Sequence, residues 1–180
     1  MKATGIVRRI DELGRIVVPK EIRRTLRIRE GDPLEIFTDT EGEIVLKKYS
    51  PIGELSSFAR QCAEAVSQNT GKVSIITDRD QVIAVSGASK KELIHKPITK
   101  ELENIINGRK MFKGMKENMP LIEGEEGSEK SWQIVQPVLC EGDVIGSVII
   151  RSRDGRAMMS EADMGIAAVA AGFLSKQMEN

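Results

Sequence analysis

Apolar and polar positions alternate in short runs through the first fifty residues. Ile6, Val7 and Ile10 precede an Asp-Glu-Leu-Gly stretch at 11–14, and Ile16, Val17 and Val18 follow it. β-Branched residues on both sides of a glycine turn predict a hairpin, with Gly14 supplying the positive φ that its tight end demands. Pro19 has no N–H to give a ladder, so it stops the second strand and opens a short helix. In that helix Ile22 and Leu26 share a face, which leaves Arg23, Arg24 and Arg27 toward solvent. Gly31, Asp32 and Pro33 end the segment. Leu34 and Ile36, then Ile44 and Leu46, alternate around Thr40-Glu41-Gly42 and predict two half-buried strands.

From residue 51 the pattern changes. Ser50-Pro51-Ile52-Gly53 reads as a connector, with the linker at 51–55 between a domain at 1–50 and another at 56–180. Leu55, Phe58, Ala59, Cys62, Ala65 and Val66 carry helical spacing to about residue 69, and Gly71 ends it. Val73–Thr77 and Val82–Val85 are strands joined by Asp78-Arg79-Asp80. Ser86–Ser89 is a loop before a short helix, KKELIHK, which Pro97 breaks. Thr99–Asn107 is helical, with Leu102, Ile105 and Ile106 inward. Residues 108–130 hold many charges and four glycines and read as a variable loop region. Trp132, Ile134 and Val138 alternate, Glu141-Gly142-Asp143 turns the chain, and Val144–Ile150 returns. Ser160 with Asp163 is a helix-start signal of the capping-box type. The Ala- and Gly-rich run behind it suits close packing against a helix of a partner chain.

An internal repeat changes this picture. Residues 11–20 read DELGRIVVPK and residues 39–48 read DTEGEIVLKK, identical at five of ten positions. The two turns should be alike in shape and unlike in charge, since Arg15 stands where the second copy has Glu43. The chain has a formal net charge of zero, yet residues 1–29 carry nine basic side chains against three acidic ones, a net of +6. A solvated face would usually mix both signs, so this asymmetry reads as a basic binding arm on an acidic body. Arginine dominates the arm, and its planar fork suits phosphate and guanine. Phe37 and Tyr49 are the only aromatic residues in the first fifty, which disfavours base stacking and points to double-stranded DNA gripped through backbone and shape. Fifty residues of short strands and one helix bury too little to stand alone. With no disulfide or metal to compensate, a dimer sharing one core is expected.

TGIVRRIDELGRIVVPKEIRRTLRI, followed by GDPLEIF and EIVLKKY, resembles the amino-terminal domain of the AbrB-type transition-state regulators. The resemblance implies a swapped-hairpin β-barrel formed by a dimer. It also implies DNA contact through Arg8, Arg15, Arg23 and Arg24, with Arg9, Lys2 and Lys20 secondary. The order helix, two strands, helical insert, hairpin and helix in the remainder resembles a GAF domain, a small α/β sensory module. Together they imply an α+β protein with an AbrB-like amino-terminal domain and a carboxy-terminal GAF-like domain. Pieces such as VSGASKKELI and AAGFLSKQME extend the likeness, over essentially all 180 residues, to AbrB-like regulators of spore-forming bacteria. The implied function is a transcriptional regulator, activator and repressor, of late forespore sporulation genes. Homodimers through 1–50 would join as homotetramers through the GAF-like domains. An antitoxin-like module that binds another polypeptide is the competing reading of the same barrel, but such proteins usually carry a short tail where this chain has a folded domain.

Catalytic and cofactor chemistry finds little support. The single histidine, His95, has no carboxylate cluster to work with, which disfavours metal and acid–base sites, and Ser86 and Ser89 lack a nucleophile-elbow setting. Cys62 falls on an apolar stripe and reads as a core thiol, while Cys140, at a strand end, reads as more exposed; the two have no CxxC spacing. Trp132 reads as core or interface filler. No cofactor or metal is expected, and a small-molecule effector would be sought near Val85-Ser86-Gly87 and the 89–130 insert. No apolar run is long enough to span a bilayer and no signal-peptide pattern opens the chain, so a cytoplasmic, nucleoid-associated protein is expected.

Overall fold

The computed structural model of the chain describes residues 4–54, 56–116, 120–125, 131–153 and 157–178. Two compact units divide after Tyr49. In the first, helix α1 (Lys20–Thr25) is followed by antiparallel strands β1 (Leu34–Thr38) and β2 (Ile44–Lys48), paired from Leu34↔Lys48 to Thr38↔Ile44. The hairpin expected from residues 6–18 keeps its turn but not its strands: 4–10 and 15–18 have no regular secondary structure. A strand needs a neighbour to take its N–H and C=O groups, and among the described residues of this unit no other segment pairs with 4–10 or 15–18. The faces of β1 and β2 expected to be half-buried are also open, with Ile36 67% and Ile44 63% exposed.

The second unit contains helices α2 (Pro51–Glu54), α3 (Ser56–Thr70), α4 (Lys90–Leu93), α5 (Lys100–Asn107) and α6 (Glu161–Met178). Its strands are β3 (Val73–Asp78), β4 (Val82–Ser86), β5 (Phe112–Lys116), β6 (Ser131–Cys140) and β7 (Asp143–Arg151). They form one antiparallel sheet in the order β4-β3-β7-β6-β5. Alternate residues of each strand enter different cores. Ile76, Ala84, Ile134, Val148 and Ile150 meet α3 and α6. Ile75, Val85, Val135 and Ile149 meet α5 and the segment holding Leu121 and Ile122. Because both faces are covered, β3 is buried along its whole length. This explains the near-continuous apolar runs of these strands.

Two expectations need correction here. The supposed connector is a helical turn, and its Ile52 is fully buried among the residues of the first core. The supposed loop region contains β5, which pairs with β6 from Phe112↔Val135 to Lys116↔Ser131. β5 is a short edge strand with two lysines and a glycine, features that blunt an edge and hide a strand from periodicity.

Helix α6 starts as its sequence indicates. The Ser160 N–H donates to Asp163 Oδ2 at 2.7 Å, and the Asp163 N–H donates to Ser160 Oγ at 3.1 Å. Lys72 Nζ lies 3.0 Å from the same Oδ2, which ties the start of α6 to the entry of β3. Burial raises the Asp163 pKa, but the Ser160 backbone and hydroxyl bonds and the Lys72 ammonium outweigh it and hold the carboxyl below its ordinary value.

Candidate nucleic-acid interface

The repeated decapeptide folds into two turns with the same hydrogen bonds. Asp11 Oδ1 accepts from the N–H of Leu13 at 3.0 Å and of Arg15 at 2.8 Å. Asp39 Oδ1 accepts from the N–H of Glu41 at 3.0 Å and of Glu43 at 2.8 Å. Across each turn the first residue's N–H donates to the fifth residue's carbonyl, Asp11 to Arg15 at 3.0 Å and Asp39 to Glu43 at 3.2 Å. Gly14 and Gly42 take φ of 75° and 83°, the left-handed conformation that the turn requires. An aspartate that binds the backbone two and four residues on, followed by glycine at the left-handed position, is what the shared D-x-x-G encodes.

Charge separates the copies. The first turn presents Glu12 and Arg15 and the second presents Glu41 and Glu43, all exposed, so the cation Arg15 is what the second turn lacks. The lysine common to both has two roles. Lys20 opens α1 and is exposed, whereas Lys48 Nζ sits 2.9 Å from Asp32 Oδ2 and donates to the Arg27 carbonyl. Asp32 in turn accepts from the Arg29 N–H at 2.8 Å.

The proposed contact residues fall on three pieces of the first unit. Arg8 and Arg9 precede the turn, Arg15 closes it, and Lys20, Arg23 and Arg24 lie on α1. All six are exposed, and Lys2 lies outside the described residues. Arg27 departs from expectation. Helix α1 stops at Thr25, and Arg27 takes φ of 52° and is half-buried. Among the described residues, the ion pair formed by a proposed contact residue is Arg15 Nε to Asp11 Oδ2, at 2.8 Å. The carboxyl of Asp11 is held below its ordinary pKa by the Arg15 backbone N–H and by the Arg15 side chain. Asp11 entered the sequence reading only as part of a turn. An aspartate four residues before an arginine, across a glycine turn, is the signal that would have found the pair.

A second surface lies on the other unit. Between α3 and α6 runs an apolar groove of about 610 Å³, lined by Cys62, Val66, Ile166, Val169 and Phe173 among others. Val169 is 74% and Phe173 45% exposed. The groove is on the helical face of the sheet, not at Val85-Ser86-Gly87 or the 89–130 insert where a ligand would be sought. On the insert side Ile98, Leu102, Ile106, Leu121 and Ile122 fill the space against the sheet. Burial pushes the Cys62 thiol pKa up, which suits a core residue and opposes a reactive thiolate. Trp132 is half-buried beside the first core. Among the described residues no group of three or more His, Cys, Asp or Glu could hold a metal ion, and no helix is long and apolar enough to cross a membrane.

The second unit superposes on the GAF domain of an Acinetobacter phosphoenolpyruvate-protein phosphotransferase with a TM-score of 0.57. The identity is 16%, over 69% of this chain and 82% of that one. The first unit is similar in sequence to the transition state regulatory protein AbrB of Bacillus subtilis strain 168, at 65% identity over 51 residues, 28% of this chain and 52% of that one. An AbrB-like unit followed by a GAF-like unit makes a two-domain chain of α+β class. The family model for the carboxy-terminal region of stage V sporulation protein T, a transcription factor, matches residues 54–179. A model of the MazE bacterial antitoxins, described as antidote-toxin recognition, matches residues 7–54. Stage V sporulation protein T of Bacillus subtilis strain 168 is 51% identical over 180 residues, 99% of each chain. The chain belongs to the stage V sporulation protein T family of transcription factors.

Proposed function

We propose that two copies of residues 1–50 form one swapped-hairpin barrel that binds double-stranded DNA through Arg8, Arg9, Arg15, Arg23 and Arg24, with Lys2 and Lys20 in support. The observation that carries this is the pair of turns: backbone bonds repeat while Arg15 replaces Glu43, so charge has been varied on a constant frame. Arginine end groups would contact phosphates and base edges, and DNA deformability would set much of the preference. The dimer is supported by the open apolar side chains of the first unit, among them Val7 (88%) and Val17 (73%), which a second chain would cover. The α3/α6 groove would receive the same groove of another copy, making a homotetramer that holds two DNA segments or one bent one. A small-molecule effector of the GAF-like domain would act by altering that pairing. The regulator would activate some sporulation genes and repress others, in the cytoplasm on the forespore nucleoid.

The test is fluorescence anisotropy on a promoter-length duplex. Arg15→Ala and Arg24→Ala should each weaken binding about tenfold, across unrelated sequences, with unchanged sedimentation. Wild-type affinity in both would sink the assignment. The match of residues 7–54 to antitoxins favours a second reading, a polypeptide partner for the same barrel. It would be preferred if these variants left DNA binding intact yet abolished capture of one defined protein.

A further inference from the structure

We infer that Asp11 is a positioning residue for DNA recognition: it fixes the Arg15 guanidinium so that its two terminal nitrogens meet DNA as a ready-made fork. The inference rests on the reading that Arg15 contacts DNA.

The repeat separates the two jobs of the aspartate. In both turns Oδ1 accepts both backbone N–H groups, so Oδ1 alone accounts for the turn. Oδ2 is left over for another partner. In the first turn it accepts from Arg15 Nε at 2.8 Å. In the second turn residue 43 is glutamate, whose side-chain carboxylate has no proton to donate. Holding Nε fixes the plane of the guanidinium and leaves Nη1 and Nη2, an end-on pair whose spacing suits a phosphate or the O6 and N7 of guanine. Arg15 remains 70% exposed in its side chain, so the fork is reachable.

An exposed ion pair of this kind adds little to folding. Its value on this account comes at association, because a long side chain already confined to one orientation loses less rotamer freedom when it meets DNA. The sign of the effect is diagnostic. A carboxylate beside a polyanion should oppose binding by charge alone, so neutralising it should tighten the complex. A positioning role requires the opposite.

Asp11→Asn tests this in the full chain. Asparagine keeps a carbonyl Oδ1 for the two backbone N–H groups, and its amide nitrogen cannot accept from Nε. Asp39→Asn is the matched control, since it removes one anion from the same turn where no arginine is held. Asp11→Asn should weaken DNA binding about threefold to tenfold, while Asp39→Asn should stay within about twofold of the parent or bind slightly tighter. Asp11→Asn added to Arg15→Ala should cause no further loss. Equal or tighter binding by Asp11→Asn, with Arg15→Ala still impaired, overturns the positioning role alone. Full binding by Arg15→Ala overturns the DNA contact and the inference with it. Loss by Asp11→Asn that persists without Arg15 assigns the aspartate to the turn only and also overturns the inference. Circular dichroism and sedimentation of each variant separate loss of fold from loss of contact.

Discussion

The two units of this chain differ in how completely one copy satisfies them. From Ser50 onward, alternate strand residues enter two cores, and Ile52, Ile75, Ile76, Ile134, Ile149 and Ile150 are fully buried. Before Ser50, Ile6, Val7, Ile10, Ile16, Val17, Ile36 and Ile44 are all exposed, and the first predicted hairpin has a turn without a ladder. The same β-branched residue types occur in both. The difference lies in what is available to cover them. The sheet of the second unit has both faces covered within the chain, whereas the open strand faces of the first are those that the proposed dimer would cover.

The largest effect is expected from charging an open apolar position of the first unit. Ile36→Lys should cost little if the side chain stays exposed. If a second copy covers it, dimers should dissociate and DNA affinity should fall more than about 100-fold. Glu35→Lys, on the same strand, is the control: it should leave the dimer intact and should not weaken DNA binding. Sedimentation and anisotropy read both outcomes.

The complete unit should respond to damage within its own chain. Asp163→Ala removes the cap of α6 and strands Lys72, whose side chain is 17% exposed. It should cost about 2–4 kcal/mol in the unfolding of the second unit. The pH dependence has a definite sign. The folded pKa of Asp163 lies below its ordinary value, so its stabilisation is complete above that value and is lost as pH falls through the lowered one. Thermal melts from neutral pH down to pH 3 should therefore drop more steeply for the parent than for Asp163→Asn.

A smaller effect is expected from the α3/α6 groove. Val169→Glu should leave the second unit folded, because the side chain is 74% exposed, and should convert tetramers to dimers. DNA affinity should fall by about tenfold through lost avidity. Light scattering that shows an unchanged tetramer would move the pairing surface elsewhere. The smallest effect concerns the second turn. Glu43→Gln keeps the backbone bond to Asp39 and should change DNA affinity by less than about twofold. Binding tightened about tenfold would mean that the second turn also lies against DNA, and the two turns would then not differ in role.

What could be read in the sequence follows the same division. The strands and helices of the second unit were legible because one chain buries both faces of its sheet, so periodicity at Ala59, Cys62 and Val66, or at Ile134 and Val138, reflects contacts made within that chain. The Ser160–Asp163 cap was legible because it is local. β5 was not, since Lys113, Gly114 and Lys116 interrupt its apolar pattern at a sheet edge. Ile52 was hidden by Pro51 and Gly53, which suggested a connector around a residue that plugs the core. In the first unit the repeat revealed the two turns and their opposite charge. The role of Asp11 Oδ2 was not apparent, because a turn signature accounts for an aspartate without asking what its second oxygen does.

On the proposed function, two copies of the basic unit together grip DNA through arginines. Sedimentation of the full chain with a short duplex, repeated across salt concentrations, tests it most directly. With roughly four phosphate contacts per protomer, an even number of chains per complex and a log–log salt slope of about −7 per dimer are expected. One chain per duplex, or a slope near zero, would contradict it.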